Sequence, residues 1–459
     1  MLPVSKRSCP SPERALLIRD AEFAADRAHV RCRDGRIAEI GTGLVASRDE
    51  DVIEARGGAL LPGLHDHHIH LFALAAARAS VKCGPPDVSD RDGLAAALAG
   101  AATGEWIRGI GYHESVAGML DCRSLDALVA DRPVRIQHRS GKMWFVNSAA
   151  AKTLGFDADF NGRLFRQDEW LREHVATDVD LAAVSRELAS YGVTGVTDAT
   201  PSNDDETGAR ITAAGVRQRV CPMGGEHLSR GTLKIMLDEH ELPDFDALRS
   251  RIAEAHGRGR PTATHCVTRT ELVFALSALM EAGTMPGDRI EHASVTDDAT
   301  MGLVVEAGVC VVTQPNFILE RGEQYLADVE PADHPYLYRC RGFLDAGVHL
   351  GGGTDAPFGE PDPWVAIRAA VTRRTRDGNV IGPNESLSPE RALALFTTPA
   401  EDPGGAPRRI AVGEAADMCL LDRGWQEARE SLSHEHVAAT ILGGEVIFRR
   451  EHALGPSRP

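Results

Sequence analysis

Four histidines and an aspartate lie within residues 65–70, directly after a short apolar run. In an extended strand alternate side chains share a face, so His68 and His70 point the same way. Two imidazoles on one face can bind a single metal ion, with residues 65–67 as supporting neighbours or spectators. The alternative is a polar, solvated turn after a strand, which rarely contains so many histidines. We therefore interpret the stretch as part of a metal site.

Further groups suited to metal binding or proton transfer stand at or near the ends of apolar segments downstream: Lys234, His265, His292 and Asp355. Each has an ordinary explanation when taken alone. A histidine after a strand is often a partly buried structural residue, an aspartate can cap a helix or a turn, and a lysine can extend to solvent from a strand edge. Together with the two first-strand histidines they form the set of ligand types that a divalent metal site needs, so we expect all of them to converge.

Lys234 lies in an apolar segment, between Leu233 and the run Ile235, Met236 and Leu237. Burial lowers the pKa of a lysine and makes its neutral amine available. A neutral amine can add carbon dioxide to become a carbamate, whose two oxygens can bridge two cations, whereas an ammonium group would be repelled by them. Carbamylation of Lys234 is our hypothesis for its role.

The elements that would position these groups are short apolar strands that alternate with helices from about residue 180 onwards. With a first strand counted from residue 60, the later strands are predicted at 195–198, 218–221, 233–237, 261–266, 289–292, 309–313 and 348–355. This alternation predicts an α/β fold with a (β/α)8 TIM-like barrel, in which strand carboxyl ends meet at one face. The candidate ligands would lie at that face.

Both chain ends are predicted to be β-rich, with hairpin turns at Asp34-Gly35 and Gly443-Gly444. We expect residues 1–58 and 406–459 to form one small β-sandwich domain, and residues 59–405 to form the metal-dependent barrel. Residues 72–177 lack the regular rhythm and are mainly helical and irregular, with helices expected at 73–79, 93–102 and 125–128 and a strand at 132–137. They are predicted to be a subdomain inserted after the first barrel strand.

The composition is that of a globular protein, with 43% hydrophobic and 25% charged residues. A net charge of −17 argues against nucleic acid as a partner. Nine scattered cysteines without a C-x-x-C pair indicate reduced thiols and a cytoplasmic protein. No apolar run reaches the length of a membrane span, and the first residues lack the apolar core of a signal peptide. The expected partner is a small-molecule substrate, and a homo-oligomer is left open.

Pro62-Gly63 followed by Asp66-x-His68-x-His70 resembles the first-strand signature of the amidohydrolase superfamily. The downstream residues Lys234, His265, His292 and Asp355 follow in the order of its binuclear type, so the resemblance covers nearly the whole chain. The insertion resembles the branch of N-substituted formamide deformylase-like N-acyl hydrolases, on the residues Arg132-Pro133-Val134, Gly141, Trp144, Val146-Asn147-Ser148 and Gln314-Pro315. Two positions depart from that branch. It usually has a histidine where this chain has Lys142, and commonly a threonine or serine where this chain has His67.

The resemblance implies two divalent metal ions, with zinc preferred, bridged by carbamylated Lys234. His68 and His70 would bind one ion and His265 and His292 the other. Asp355 would complete the first site and act as general base and acid while a metal-bridging hydroxide attacks the substrate. The implied reaction is hydrolysis of a non-peptide carbon–nitrogen bond, with the amide of an N-acyl or N-formyl small molecule favoured.

For substrate binding the insertion offers His113, Lys142 and Trp144, although ordinary packing or surface charge explains each equally well. Two other functions stay open. A mononuclear deaminase of a cyclic amidine or nucleobase, or a cyclic amidohydrolase, would use the same barrel, and the deaminase would need no bridging lysine. A non-catalytic scaffold would be expected to have lost ligands, and this chain has the full set.

Overall fold

The computed structural model describes residues 15–23, 26–101, 104–175 and 179–451. The outer ends of the predicted terminal domain and the last residues of the predicted insertion therefore lie outside the described residues. Contacts divide the chain into one compact unit of residues 1–71 and 182–459 and a second unit of residues 72–181. Cysteines within the described ranges are free thiols. None of the helices described there has both the length and the apolar character to cross a membrane.

The described strands are β1 (Ala15–Phe23), β2 (Asp26–Arg33), β3 (Arg36–Gly41), β4 (Glu50–Glu54), β5 (Leu60–Pro62), β6 (Leu64–Ile69), β7 (Val81–Lys82), β8 (Ile107–Tyr112), β9 (Val134–His138), β10 (Met143–Val146), β11 (Arg163–Phe165), β12 (Val193–Asp198), β13 (Arg219–Pro222), β14 (Leu233–Met236), β15 (Thr262–Cys266), β16 (Arg289–His292), β17 (Cys310–Thr313), β18 (Leu350–Gly352), β19 (Met418–Leu421), β20 (Val437–Leu442) and β21 (Glu445–Arg449). The described α-helices are α1 (Leu71–Arg78), α2 (Arg91–Ala99), α3 (Glu114–Ala117), α4 (Cys122–Asp126), α5 (Ser148–Thr153), α6 (Asp168–His174), α7 (Leu181–Ser190), α8 (Thr207–Ala213), α9 (Phe245–Gly257), α10 (Arg269–Ala282), α11 (Asp298–Ala307), α12 (Asn316–Asp328), α13 (Arg341–Asp345), α14 (Pro363–Thr372), α15 (Pro389–Ala394) and α16 (Trp425–Ala428).

The candidate ligands lie on or just after five of eight parallel strands, and helices separate most of these strands along the chain. The eight strands form a three-stranded sheet in the order β13-β12-β6 and a five-stranded sheet in the order β14-β15-β16-β17-β18. Between β13 and β14 the edges meet at an isolated bridge from Gly224 to Leu233. Beyond β18, the amide of Asp355 donates to the carbonyl of His68 at 2.8 Å. The strands were predicted at nearly these positions, but the continuous ladder of a closed barrel is not observed among the described residues.

The first predicted strand is corrected by the structure, because the segment that starts at Leu60 is two strands. Leu60–Pro62 pairs antiparallel with β19, in the four-stranded sheet β21-β20-β19-β5. The chain then bends at Gly63, where an added Cβ would lie 2.3 Å from the Thr194 side chain. The strand beside β12 begins at Leu64 and contains the histidine-rich stretch.

The two chain ends share a hydrophobic core. The N-terminal strands form a sheet in the order β3-β2-β1-β4. Leu16, Ile18 and Val30 from this sheet belong to the same buried cluster as Met418 and Leu420 from β19. The β-rich character predicted for both ends is therefore confirmed, while their description as a sandwich stays a prediction.

The second unit, residues 72–181, contains a five-stranded sheet in the order β11-β10-β9-β8-β7. Two apolar clusters pack beside its strands, one around Tyr112, Ile136 and Phe145 and another around Trp144 and Val146. The expected helices are observed as α1, α2 and α4 and the expected strand as β9. The other strands of the sheet were missed, because strands such as β8 contain glycines and a charged residue that hide the apolar alternation.

Candidate metal centre

Asp355 lies at the centre of a cluster of histidines. Its Oδ1 is 3.2 Å from Nε2 of His70 and 3.5 Å from Nε2 of His68. The ring of His292 lies 4.8 Å from the ring of His68 and 4.6 Å from that of His265. The potential ligand atoms of His68, His292 and Asp355 all lie within 4.8 Å of one another. The structure thus brings together groups that come from four separate strands or strand ends.

Lys234 faces this cluster and is almost fully buried, with 2% of its surface exposed. Its Nζ has no hydrogen-bond partner. Burial lowers the pKa of the amine, and the carboxylates of Glu291 and Asp355 only partly oppose this effect. A buried amine without a hydrogen-bond partner costs free energy, and the cost is greatest when the amine is charged. Its environment therefore fits the carbamate hypothesis, since a carbamate would be an anion whose oxygens could bind cations held by the neighbouring histidines.

The backbone at the two strand ends is turned out of the extended conformation. The φ angle is +71° at His292, +46° at Ala293 and +56° at Asp355. Residues other than glycine adopt such values rarely, and the strain costs free energy. In a regular strand neighbouring residues point to opposite faces. The turn at His292 allows both its own ring and the carboxylate of Glu291 to approach His68.

A buried ion pair lies beside the histidines, and sequence reasoning missed it. Glu291 accepts a hydrogen bond from Nδ1 of His68 and a second bond of 2.5 Å from Nε of Arg289. The guanidinium of Arg289 also donates to the carbonyl of His67 at 2.9 Å. Burial alone would raise the pKa of Glu291, but the positive charge of Arg289 and the hydrogen bond from His68 hold it well below its usual value. The sequence signal for this ion pair was two opposite charges, two positions apart, in a segment predicted to be a buried strand.

The partners of the imidazoles determine which ring nitrogen is free. Nδ1 of His292 lies 2.7 Å from the amide oxygen of Gln314, and Nδ1 of His70 lies 3.0 Å from the hydroxyl of Thr200. A carbonyl-type oxygen accepts a hydrogen bond, so His292 carries its proton on Nδ1 and leaves Nε2 as the free lone pair. No sequence motif points to Thr200, which follows β12 in a loop.

Asp66 ties the first strand to the loop after β18. Its carboxylate accepts bonds of 3.0 Å from the amides of His68 and Thr354 and one of 2.5 Å from the Thr354 hydroxyl. The backbones are so close here that a Cβ at Gly353 would lie 2.6 Å from Cβ of His68. His65 and His67 instead bond to Thr197 and Thr398, each at 2.9 Å. Asp66 is thus a supporting residue, while His65 and His67 have structural partners.

The charge states suit a cation. Burial lowers the pKa of His68 to about 3 and that of His292 and His265 below the usual value, so these rings are neutral at pH 7. Burial opposes ionisation of Asp355, but the bond with His70 and the nearby His68 and His292 outweigh it and hold the pKa of this carboxyl below its usual range. Neutral imidazoles beside an ionised carboxylate are the donor set of a divalent metal site.

A family model described as the amidohydrolase family matches residues 51–448. The chain belongs to this family. It is a hydrolase that acts on carbon–nitrogen bonds other than peptide bonds, in a family of metal-dependent enzymes. The assignment agrees with the resemblance found in the first-strand motif.

Relatives of this amidohydrolase differ in the reactions that their names describe. It is 24% identical to an N-substituted formamide deformylase of Arthrobacter pascens, over 91% of this chain and 94% of that protein. It is 26% identical to a 5-methylthioadenosine/S-adenosylhomocysteine deaminase of Natronomonas pharaonis, over 62% of this chain and 74% of the other. Among solved structures, an uncharacterised metal-dependent hydrolase from Pyrococcus horikoshii shares the fold with a TM-score of 0.74 at 18% identity, covering 92% of this chain and 100% of that one.

The residues predicted for substrate binding lie in the second unit of the amidohydrolase. Lys142 is exposed in a turn before β10 and accepts a bond from the amide of Arg166 through its carbonyl at 2.8 Å. Trp144 is 4% exposed, with the guanidinium of Arg108 5.2 Å from its ring. His113 caps helix α3 and bonds to the Ser115 hydroxyl at 2.8 Å. Their role in substrate binding stays a prediction.

Proposed function

We propose that this enzyme hydrolyses the amide of a small N-acyl or N-formyl compound, using two divalent cations, with zinc preferred. The observation that carries the proposal is the buried, unpartnered Nζ of Lys234 beside the histidine–aspartate cluster. A site for a single cation needs no such amine, and an uncharged, unmodified lysine would leave a polar group buried without a partner. Carbamylation would convert it into an anionic group whose two oxygens could each bind a cation.

Six residues would hold the cations. His68, His70 and Asp355 would bind one, His265 and His292 the other, and carbamylated Lys234 would be shared. Bound cations would polarise the substrate carbonyl and lower the pKa of a water molecule. Glu291, Gln314 and Thr200 keep the imidazoles oriented through their second ring nitrogens.

Asp355 would be the proton carrier of the reaction. Its carboxyl is ionised at neutral pH, since its pKa lies below the usual range, so it can accept a proton from the attacking water. The water oxygen bonds to the carbonyl carbon, and Asp355 then delivers the proton to the leaving nitrogen as the carbon–nitrogen bond breaks. The products are a carboxylic acid and an amine.

A mononuclear deaminase is the second candidate. The ligand atoms of His68, His292 and Asp355 by themselves meet within 4.8 Å, and one relative is named as a deaminase. The buried amine of Lys234 favours the binuclear proposal over this alternative. Cytoplasmic location and the oligomeric state are carried over from the sequence as predictions.

Metal content and product release test the proposal together. The enzyme is expressed with added zinc and analysed for metal, and N-formyl, N-acetyl, N-acyl amino acid, cyclic amide and nucleobase compounds are screened for amine or ammonia release. We expect two metals per chain, amine release from an N-acyl or N-formyl compound, and a carbamate signal after equilibration with 13C-bicarbonate.

Lys234→Ala should lose the carbamate signal and retain one metal or none, with activity reduced by orders of magnitude. Lys152→Ala, at an exposed lysine of helix α5, is the matched control and should change none of these properties. One tightly held metal with a fully active Lys234→Ala variant would overturn the binuclear proposal and favour the deaminase.

A further inference from the structure

Helix α12 carries an arginine, Arg321, that is partly buried. Its guanidinium donates to the carbonyl of Phe358 at 2.6 Å and lies over the ring of Phe317, 4.1 Å from the ring centroid. In the described part of the chain, its contacts include no carboxylate at ion-pair distance. A guanidinium held by a carbonyl and an aromatic face keeps donors that an anion can use.

The acidic residue next to this arginine is bonded elsewhere. Glu320 accepts a hydrogen bond from the side-chain amide of Asn316 at 3.2 Å and another from the backbone amide of Glu360 at 3.2 Å. Burial also raises the pKa of Glu320 to about 7, so at neutral pH its carboxyl is partly protonated. The positive charge of Arg321 is therefore not neutralised by its neighbour.

Phe358 connects Arg321 to the candidate metal centre. The ring of Phe358 meets the ring of His70 edge to face, with centroids 5.8 Å apart, while its carbonyl accepts the bond from Arg321. The amide of Phe358 donates to the carbonyl of Asp355 at 2.8 Å, which fixes this residue in the loop after β18. One phenylalanine residue thus separates the guanidinium from a candidate metal ligand.

The charges of Arg321 and Asp355 both act on Tyr338. Burial raises the pKa of Tyr338, the charge of Arg321 opposes this effect, and the charge of Asp355 adds to it. The hydroxyl of Tyr338 lies 3.1 Å from that of Tyr325, where burial likewise raises the pKa and Arg321 again opposes it. Since electrostatic effects fall off with distance, Arg321 and Asp355 border the same region.

We propose that Arg321 binds a carboxylate of the substrate, several bonds away from the amide that is cleaved. This rests on the proposed function and narrows its substrate class to N-acyl or N-formyl compounds with a remote carboxylate. The flat guanidinium, stacked on Phe317, presents parallel N–H groups that match the two oxygens of a carboxylate. Because the chain has a net charge of −17, an anionic substrate needs such a local positive group.

The test uses two series of probes that chelate the metal centre and carry a terminal carboxylate on a chain of two, four or six CH2 groups. In hydroxamic acids the chain is on the acyl side, and in N-hydroxyformamides it is on the nitrogen side. Each acid is compared with its primary amide, which has a similar shape and no charge. Binding to the zinc-loaded enzyme is measured by calorimetry, separately from turnover.

In at least one series we expect one acid to bind about tenfold more tightly than its amide, the gain of a hydrogen bond to a charged group over a neutral one. The series that shows this preference assigns the carboxylate to the acyl or the amine part of the substrate. Arg321→Gln should remove the preference while the amides bind as before. Arg321→Lys keeps the charge without the flat fork and should retain about a threefold preference.

Arg341→Gln is the matched control, since it removes one positive charge from helix α13, where the Arg341 side chain is 53% exposed. It should keep the full preference. Equal affinity of acids and amides in both series, or a preference that the Arg321 variants keep in full or that Arg341→Gln also loses, would overturn the carboxylate site. Failure of every probe to bind the zinc-loaded enzyme would instead overturn the metal centre of the proposed function, and the carboxylate site with it.

Discussion

The amide oxygen of Gln314 lies 2.7 Å from Nδ1 of His292, and both side chains are buried. Gln314 directly follows β17, while His292 ends β16, so the contact links neighbouring strand ends. The bond keeps the proton of His292 on Nδ1 and its Nε2 free to bind a cation. Gln314 is therefore a positioning residue for the metal centre.

Gln314→Leu should weaken zinc binding about 10- to 100-fold, the range found when the hydrogen-bond partner of a metal-binding histidine is removed. Without the acceptor, His292 can carry its proton on either nitrogen and its ring is no longer held in one orientation. Competition with a chelator at neutral pH measures the change.

Gln218→Leu is the matched control for this prediction. Gln218 is a buried glutamine that bonds to Ser185 at 2.7 Å, and none of the candidate ligands is among its hydrogen-bond partners. We expect its substitution to lower thermal stability without changing zinc affinity. Equal losses of zinc affinity in both variants would show that Gln314 acts through general stability and does not position His292.

Glu291→Gln should destabilise the metal-free enzyme by about 3–5 kcal/mol, because the buried charge of Arg289 would lose its partner. The carboxylate lies 2.5 Å from Nε of Arg289 and both side chains are almost fully buried. The substitution keeps an oxygen that can accept from Nδ1 of His68. Urea unfolding of the native and variant proteins measures the difference.

The double variant Arg289→Met/Glu291→Gln provides the control. It also removes the positive charge of Arg289, which Glu291→Gln alone leaves buried without a partner. It should recover part of the lost stability and give a coupling energy of more than about 1 kcal/mol in a double-mutant cycle. Additive effects of the two substitutions would contradict the paired role of Arg289 and Glu291.

Sequence patterns predicted the parallel strands and the convergence of the candidate ligands because both depend on local periodicity. His265 and His292 each end an apolar run, and such runs are buried strands whose ends meet. The same periodicity could not reveal that Glu291 and His292, which are neighbours in sequence, both approach His68. That arrangement depends on positive φ at His292, which only the packing of the strand ends imposes.

Pairing between segments that are far apart in sequence was the other feature that sequence patterns could not predict. Leu60–Pro62 looked continuous with the histidine stretch, yet it pairs with β19 far along the chain. Thr200 and Gln314 are ordinary polar residues in sequence, and their contacts with histidines arise from tertiary structure. In the second unit, the glycines of β8 concealed a strand within a segment expected to be helical.

Glu320 should make stability fall as pH rises. Its carboxylate accepts bonds from the amide of Glu360 and from Asn316, and burial raises its pKa from 4.5 to about 7. The folded state therefore binds the proton more tightly than the unfolded chain. Its favourable contribution is complete below about pH 4.5 and is lost as pH rises through 7.

Glu320→Gln keeps an acceptor oxygen and removes the charge. Relative to the native enzyme, it should gain about 1–2 kcal/mol of stability between pH 5 and pH 8, a range that allows for partial exposure of the side chain. Thermal melting across this pH range measures the gain. Glu323→Gln, on the same helix and bonded to Asn379 at 3.0 Å, is the matched control. If Glu320→Gln and Glu323→Gln change stability by the same amount at every pH, the pKa of Glu320 is not raised.

The two chain ends, which contribute Ile18 and Leu420 to one core, should unfold in a single transition. Both side chains are fully buried in the same hydrophobic cluster. Ile18→Ala and Leu420→Ala should each cost about 2–5 kcal/mol, because each removes methyl groups from a packed core and leaves a cavity. Both variants should lower the midpoint of one shared unfolding transition, measured by calorimetry. Val412→Ala, at a side chain 62% exposed, should leave that midpoint nearly unchanged. Two transitions, each sensitive to one variant alone, would mean that the chain ends fold independently and that the shared core does not couple them.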